Sequence, residues 1–230
     1  MKTIGLLGGL SWESTVGYYC AINEGVKQAL GSLHSAKIAM VSMDFDPIAQ
    51  LQHASDWDEA GILLAEAAQG IQAAGADFLL ICANTMHKVA PQIEAAIHIP
   101  VIHIADATAA VLLERKIVTV GLLGTAFTME QDFYRGRLSD KHGISVLIPP
   151  EEDRSVVHDI IYQELCLGKQ LATSKAEFLR MIQDLASRGA EAVILGCTEI
   201  GMLVKPEDTN IMLLDTTLIH AAKAVEEALR

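Results

Sequence analysis

The chain has 230 residues, enough for a large core in one domain or two. Apolar residues make up 51%, aromatics 5% and charged residues 20%, the composition of a globular α/β protein and not of a disordered or fibrous one. A formal charge of −12 argues against a nucleic-acid or anionic-membrane partner, since either needs a basic face. No run approaches the roughly 18 consecutive apolar residues of a membrane span. The start "MKTIGLLGGLSWEST" carries glycines and a Trp-Glu pair that spoil a signal peptide, so the expected compartment is the cytoplasm.

Short apolar, β-rich runs predict strands at residues 2–8, 37–43, 77–83, 99–103, 117–123, 144–148, 191–196 and 210–214. Helical patterns fall between them at 58–74, 86–97, 106–115, 129–142, 154–167, 173–188 and 217–229. Alternation of this kind predicts parallel sheets covered by helices on both faces. The first strand ends in "GLLGGLSWES", which fits neither G-x-G-x-x-G nor G-x-x-x-x-G-K-[ST]. Its glycines still let a ligand approach the backbone, and Ser11 is suited to cap the next helix. The turn therefore reads as anion-friendly without nucleotide specificity.

The chain is written twice. "TIGLLGG" (3–9) is echoed by "TVGLLGT" (119–125), "GADFLLICANT" (75–85) by "GAEAVILGCTE" (189–199), and "IADATAAV" (104–111) loosely by "LDTTLIHA" (214–221). Gly5 to Gly75 spans 70 positions and Gly121 to Gly189 spans 68, in the same order. Two long copies predict two similar α/β lobes, each a parallel sheet flanked by helices, pseudo-two-fold related by duplication; one doubly wound sheet is the alternative. The expected division is 1–99 plus 211–230 for the first lobe and 100–210 for the second, with an active-site cleft between them. Ligands of open α/β sheets bind at the carboxyl ends of strands, where "CANTMH" and "GCTEIG" fall.

Counting from the shared glycine, Gly75 plus eight is Ala83 and Gly189 plus eight is Cys197. Asn84 then stands opposite Thr198, and Thr85 opposite Glu199. Successive strand residues face opposite ways, so Cys82 is expected to point away from the cleft, into the core. Cys197 instead falls where a strand meets a helix, whose N-terminus is expected to lower its thiol pKa and make it a usable base. Cys20 and Cys166 lie in apolar helical patterns and read as core. His87 reads as a solvated or capping side chain ahead of an acid–base group. "FYRGRL" (133–138) and Lys169 offer cations for a carboxylate, or are plain solvated charges. No cysteine pair or zinc spacing occurs, and no metal is expected.

At "GLLGGLSWEST", "NTMHKVA", "HIADAT", "LLGTAFTMEQDFYRGRL" and "GCTEIG" the chain resembles the cofactor-independent aspartate/glutamate racemase family, nearly end to end. The resemblance implies two α/β lobes with one thiol from each on opposite faces of a bound amino acid. One thiolate removes the α-proton and the other thiol delivers a proton from the far side. It implies no pyridoxal phosphate or other cofactor, a small amino-acid substrate with aspartate or glutamate favoured, and a homodimer. Substrate-contact positions implied by it are Leu10, Gln52, Asn84, Thr85, Met86 and Gly168 or Lys169. Helix-start N–H groups and hydroxyls around Asn84, Thr85 and Thr198 are expected to hold the α-carboxylate, with Ser11 and Glu199 as further substrate-binding positions.

The chain departs from that family at Ala83, where the first thiol belongs. Losing one acid–base group typically costs about 10²–10⁴ in rate. Either Cys82 reaches the cleft by a bend, or water or Thr85 stands in for the thiol, or Cys197 alone serves another carbanion reaction. The last option resembles the arylmalonate decarboxylases, single-thiol lyases. An amino-acid-binding protein of weak catalytic power is the alternative from another class.

Overall fold

The apolar run at the start of the chain becomes β1 (Ile4–Gly8), buried along all five residues, as only a strand covered on both faces can be. The structure, a computed structural model, describes residues 1–230. β1 is central in a parallel sheet, with β2 (Ile38–Ser42) on one side and β3 (Phe78–Ile81) on the other. Helices α1 (Trp12–Leu30), α2 (Phe45–His53) and α3 (Trp57–Ala73) make the connections. After β3 come a 3₁₀ turn (Thr85–Val89) and α4 (Ala90–Ala96).

Period-2 alternation sorts the strand side chains into two cores. Leu7, Leu79 and Ile81 pack with Ile48 of α2, Leu64 and Ile71 of α3 and Ile93 of α4. Ile4, Leu6, Phe78 and Leu80 pack with Tyr18, Ile22 and Val26 of α1 and with Ala221, Ala224 and Ala228 of the C-terminal helix. The apolar stripe of α1 therefore runs through Tyr18, Ile22 and Val26, and Cys20 lies on its exposed outer face, not in the core. Pattern reading names no helix at α1 or α2, where this stripe is one side chain wide.

The second lobe repeats the order. β4 (Thr119–Gly124) lies between β5 (Ser145–Leu147) and β6 (Ala192–Gly196), and β7 (Met212–Asp215) joins the far side of β6, all parallel. Its helices are α5 (Ile104–Glu114), α6 (Ala126–Glu130), α7 (Glu151–Gln163), α8 (Ala172–Ser187) and the single turn α9 (Ile200–Leu203). α10 (Thr216–Leu229) returns the chain to the first lobe. The one long helix expected over 129–142 is two short pieces, α6 and a π-helical turn (Arg137–Lys141).

The copies also match in detail. Gly5 pairs with Leu79 and Gly121 with Val193, each four residues past the shared glycine of its copy. On both strands a crossover-helix side chain occupies the space a Cβ would fill, Ile71 over Gly5 at 2.7 Å and Leu185 over Gly121 at 2.9 Å. The strand expected at 99–103 is reduced to one bridge, Leu79 with Val101, on the side of β3 corresponding to the β7 side of β6.

The two units are Met1–Ile104 with His220–Arg230, and Ala105–Ile219. Both boundaries fall later in the chain than the expected 99/100 and 210/211. The Val101 bridge keeps 99–103 with the first sheet, and pairing of β7 with β6 keeps 212–215 with the second. No helix is long and apolar enough to cross a membrane.

Gly5→Ala is expected to lower the unfolding free energy by about 2 kcal/mol, because its methyl would meet the Phe78 carbonyl oxygen at 2.8 Å as well as Ile71. Gly121→Ala should cost less, since the nearest atom there is a Leu185 methyl that can swing aside. Urea titration of both variants checks the ranking.

Candidate functional site

At the carboxyl end of β3 the alternation continues for two residues past Ile81. The Cys82 N–H donates to the Leu7 carbonyl at 2.9 Å, holding the chain in register. Cys82 consequently faces the core of Tyr18, Ile22 and Leu80, while Ala83 faces the other, beside Leu10 and Met86. Cys82 is fully enclosed, and burial pushes its thiol far above the ordinary range.

The residues expected at the first turn come together around Ala83. Leu10 and Met86 share its cluster, and the Gln52 amide donates to the Met86 sulfur at 2.7 Å. Asn84 and Thr85 are both buried and follow directly. Ser11 occupies the N-cap position of α1, but its side chain makes no capping bond. Its carbonyl accepts from the hydroxyls of Ser14 at 3.1 Å and Thr15 at 2.9 Å.

His87 is neither solvated nor open to solvent protons; it is 1% exposed. The Ile104 N–H donates to its Nε2 at 3.2 Å, so Nδ1 carries the proton and donates to the Ala83 carbonyl at 2.7 Å. His220 is held in the opposite tautomer. Its Nε2–H donates to the Ile102 carbonyl at 2.7 Å, and its Nδ1 accepts from the Tyr18 hydroxyl at 2.9 Å. The His87 ring lies 4.4 Å from that of His103 and 5.9 Å from that of His220. Burial pushes His220 down to about 4, partly opposed by its bond to Ile102. Nothing in the sequence pattern distinguishes these histidines from surface ones.

In the second lobe the corresponding turn carries Cys197, Thr198 and Glu199, all buried. The Cys197 thiol donates to Glu199 Oε2 at 2.8 Å, and the Thr198 hydroxyl donates to the same oxygen at 2.7 Å. The expected lowering of the thiol pKa by a helix N-terminus is overturned. α9 is one turn long, and the Cys197 thiol sits well above its ordinary value. Burial is the largest cause, followed by the negative charge of Glu199. Gly201 has a physical reason in "GCTEIG": a Cβ there would come within 2.2 Å of Asp215 Oδ2. Asp215 caps α10 through the N–H groups of Thr217 and Leu218, at 2.9 and 3.2 Å.

Two further side chains act electrostatically on this turn. Cys166 raises the Cys197 thiol, and Tyr162 is itself held protonated, first by burial and then by Cys166, Cys197 and Glu199. Cys166 is half-buried at this site and not in a core. Its i, i+4 spacing to Tyr162 on the pattern at 154–167 was the available clue. Gly168 and Lys169 are exposed, just past the 3₁₀ turn Leu165–Leu167. Arg137 of "FYRGRL" is committed elsewhere, to a bidentate pair with Asp106 at 2.7 Å, where Lys141 and His142 also bind. Burial alone would raise Asp106, but these bonds, Arg137 foremost, hold it well below the usual carboxylate range. No three His, Cys, Asp or Glu side chains are grouped to hold a metal ion.

The family model described as Asp/Glu/Hydantoin racemase matches residues 7–224. Among solved structures, a candidate Asp/Glu racemase from Yersinia pestis is 52% identical, with both chains covered over 100% and a TM-score of 0.92. An aspartate racemase homologue from Pyrococcus horikoshii is 32% identical, again over 100% of both chains, with a TM-score of 0.85. The aspartate racemase of Picrophilus torridus, at 18% identity over 99% of this chain and 94% of its own, shares the fold with a TM-score of 0.80.

Because His220 is depressed from 6.5 to about 4, the unfolded chain binds its proton first as pH falls. The stability it contributes is present above pH 6.5 and is lost between pH 6.5 and about 4, a loss of about 3 kcal/mol. In His220→Gln the difference in unfolding free energy between those two pH values should shrink by about that amount, measured by urea titration at each pH.

Proposed function

The chain belongs to the Asp/Glu/Hydantoin racemase family, and on that premise we propose that it is an isomerase working at the α-carbon of a small amino acid through Cys197, without pyridoxal phosphate. The observation that carries this reading is the buried thiol at the end of β6, in register with Ala83 at the end of β3. Aspartate or glutamate is the favoured substrate. With a net charge of −12, attraction of a dicarboxylate has to come from local groups. Asn84, Thr85 and Thr198 are proposed to hold its α-carboxylate, with Leu10, Gln52 and Met86 shaping the pocket and Gly168 or Lys169 at its margin.

Ala83 makes the chemistry one-sided. Its methyl carries no exchangeable proton, and Cys82 would have to leave an apolar core to replace it. Cys197 is therefore proposed to exchange the α-proton on one face, with inversion left to a slower donor such as water or Thr85. The same observation favours a second reading, a single-thiol lyase that protonates a planar intermediate from one side.

The chain is further proposed to work as a cytoplasmic homodimer. The face offered is the groove lined by Trp12, Val16 and Tyr19 of α1 and Met40 of the edge strand β2, all exposed and apolar. Like-charged copies approach most easily where no carboxylate lines the surface. Trp12→Glu should then convert the dimer to monomer in light scattering; an unchanged mass removes this face from consideration.

Proton NMR of L- and D-aspartate and of glutamate in D₂O tests the central claim. Wild-type protein should wash out the α-proton of one enantiomer, and Cys197→Ser should slow this by about 10²-fold or more. Ala83→Cys should raise formation of the opposite enantiomer by about 10²-fold, read by chiral chromatography. Exchange that survives Cys197→Ser would overturn the assignment of the thiol.

A further inference from the structure

A buried thiol that must act as a base needs somewhere to put its own proton. Cys197 is 8% exposed, and burial makes release of that proton to water costly. An acceptor is already bonded to it, since the thiol donates to Glu199 Oε2 at 2.8 Å. Glu199 is 2% exposed, and the Thr198 hydroxyl binds the same oxygen at 2.7 Å, which fixes the carboxylate against the thiol.

We infer that Glu199 is the resident proton acceptor of Cys197, a positioning residue that acts through the thiol and does not itself contact the substrate. The inference rests on the α-proton chemistry proposed for Cys197 and says how that chemistry starts. The pair holds one transferable proton and one negative charge. In the first step the S–H bond breaks, an O–H bond forms on Glu199, and the charge moves from carboxylate to sulfur. The net charge of the pair is unchanged, so no charge need cross the buried site. In the second step the thiolate forms an S–H bond with the substrate α-proton, and the electron pair of the broken C–H bond stays on the substrate. Both members of the pair are then neutral beside the substrate anion. Reprotonation reverses the two steps.

The surroundings suit this exchange. Besides Glu199, Cys166 in the 3₁₀ turn acts on the thiol, and the thiol in turn helps burial to keep the Tyr162 phenol of α7 protonated. Tyr162 packs on His158 at 4.8 Å between ring centres, and His158 Nδ1 accepts from the Ala126 N–H at 3.2 Å, so its ring is fixed by backbone.

Two readouts of opposite sign test the inference in Glu199→Gln. The first is the pH profile of Cys197 alkylation by iodoacetamide, followed by peptide mass spectrometry without substrate. Removal of the carboxylate charge should move the midpoint down by about one pH unit or more and make the thiol more reactive near neutrality. The second is α-proton exchange at saturating aspartate, whose kcat should fall by about 10²-fold. A more reactive thiol with slower exchange supports the inference. An unmoved alkylation midpoint overturns it, as does faster exchange, which marks Glu199 as a mere electrostatic burden. A raised KM with kcat and alkylation unchanged makes Glu199 a substrate contact and also overturns it. If wild-type protein exchanges no substrate, the proposed function fails, and the pairing is then decided by alkylation alone. Should Glu199→Gln not fold, the infrared difference between wild type and Cys197→Ser still decides. An S–H stretch displaced to low frequency supports a bond to carboxylate, and one at the position of a free thiol overturns it.

Discussion

Side chains on a β-strand alternate, and that alternation on β3 is the constraint on which the first-lobe turn depends. The strand is buried on both faces, so each residue is committed to one core or the other. A slip of one residue would exchange every commitment at once. Cys82 and Ala83 are adjacent in sequence yet belong to different cores. The thiol nearest to the site in sequence is thereby among the side chains least able to serve it. Cys197, at the end of the fully buried β6, holds in the second lobe the register position that Ala83 holds in the first.

The two turns also differ in what they do with polar groups. In the first lobe, His87 ties the Ala83 carbonyl to the backbone of Ile104, so a neutral imidazole stiffens the turn from behind. In the second, the stiffening group is a carboxylate, and it binds the Cys197 sulfur itself. An ionised acceptor makes a stronger bond than a neutral one but also disfavours a second negative charge nearby. The Cys197 thiol is thus held in place and poorly ionised by the same arrangement. Its protonated state follows from burial and Glu199 together, and no helix dipole of useful length offsets them.

Much of this was legible in the residues. The repeated glycines gave the two-lobe plan, because Gly5 and Gly121 are positions where a helix side chain lies on a strand; Gly75 and Gly189, both at positive φ, gave the correspondence of Ala83 with Cys197. The alternation of β3 gave the orientation of Cys82. Tertiary facts were not legible. Whether Glu199 turns towards solvent, substrate or sulfur depends on a rotamer that no spacing encodes. The commitment of Arg137 depends on Asp106 being brought to it from 31 positions away. The strand expected at 99–103 has the composition of a strand, but only Val101 finds a partner. Cys20 sits in an apolar-looking stretch whose buried stripe misses it by two residues, at Tyr18 and Ile22.

The second lobe is one uninterrupted stretch, whereas the first is closed by residues from the far end of the chain. Ala221, Ala224 and Ala228 complete the wall around Cys82, and His220 supplies the partner of Tyr18. During synthesis the face of the β1, β2 and β3 sheet that packs on α1 therefore lacks its second helix, α10, until the second lobe has been made. In that interval the wall around Cys82 is incomplete. The alanines of α10 thus share with Tyr18 and Ile22 of α1 the enclosure that keeps the Cys82 thiol chemically silent.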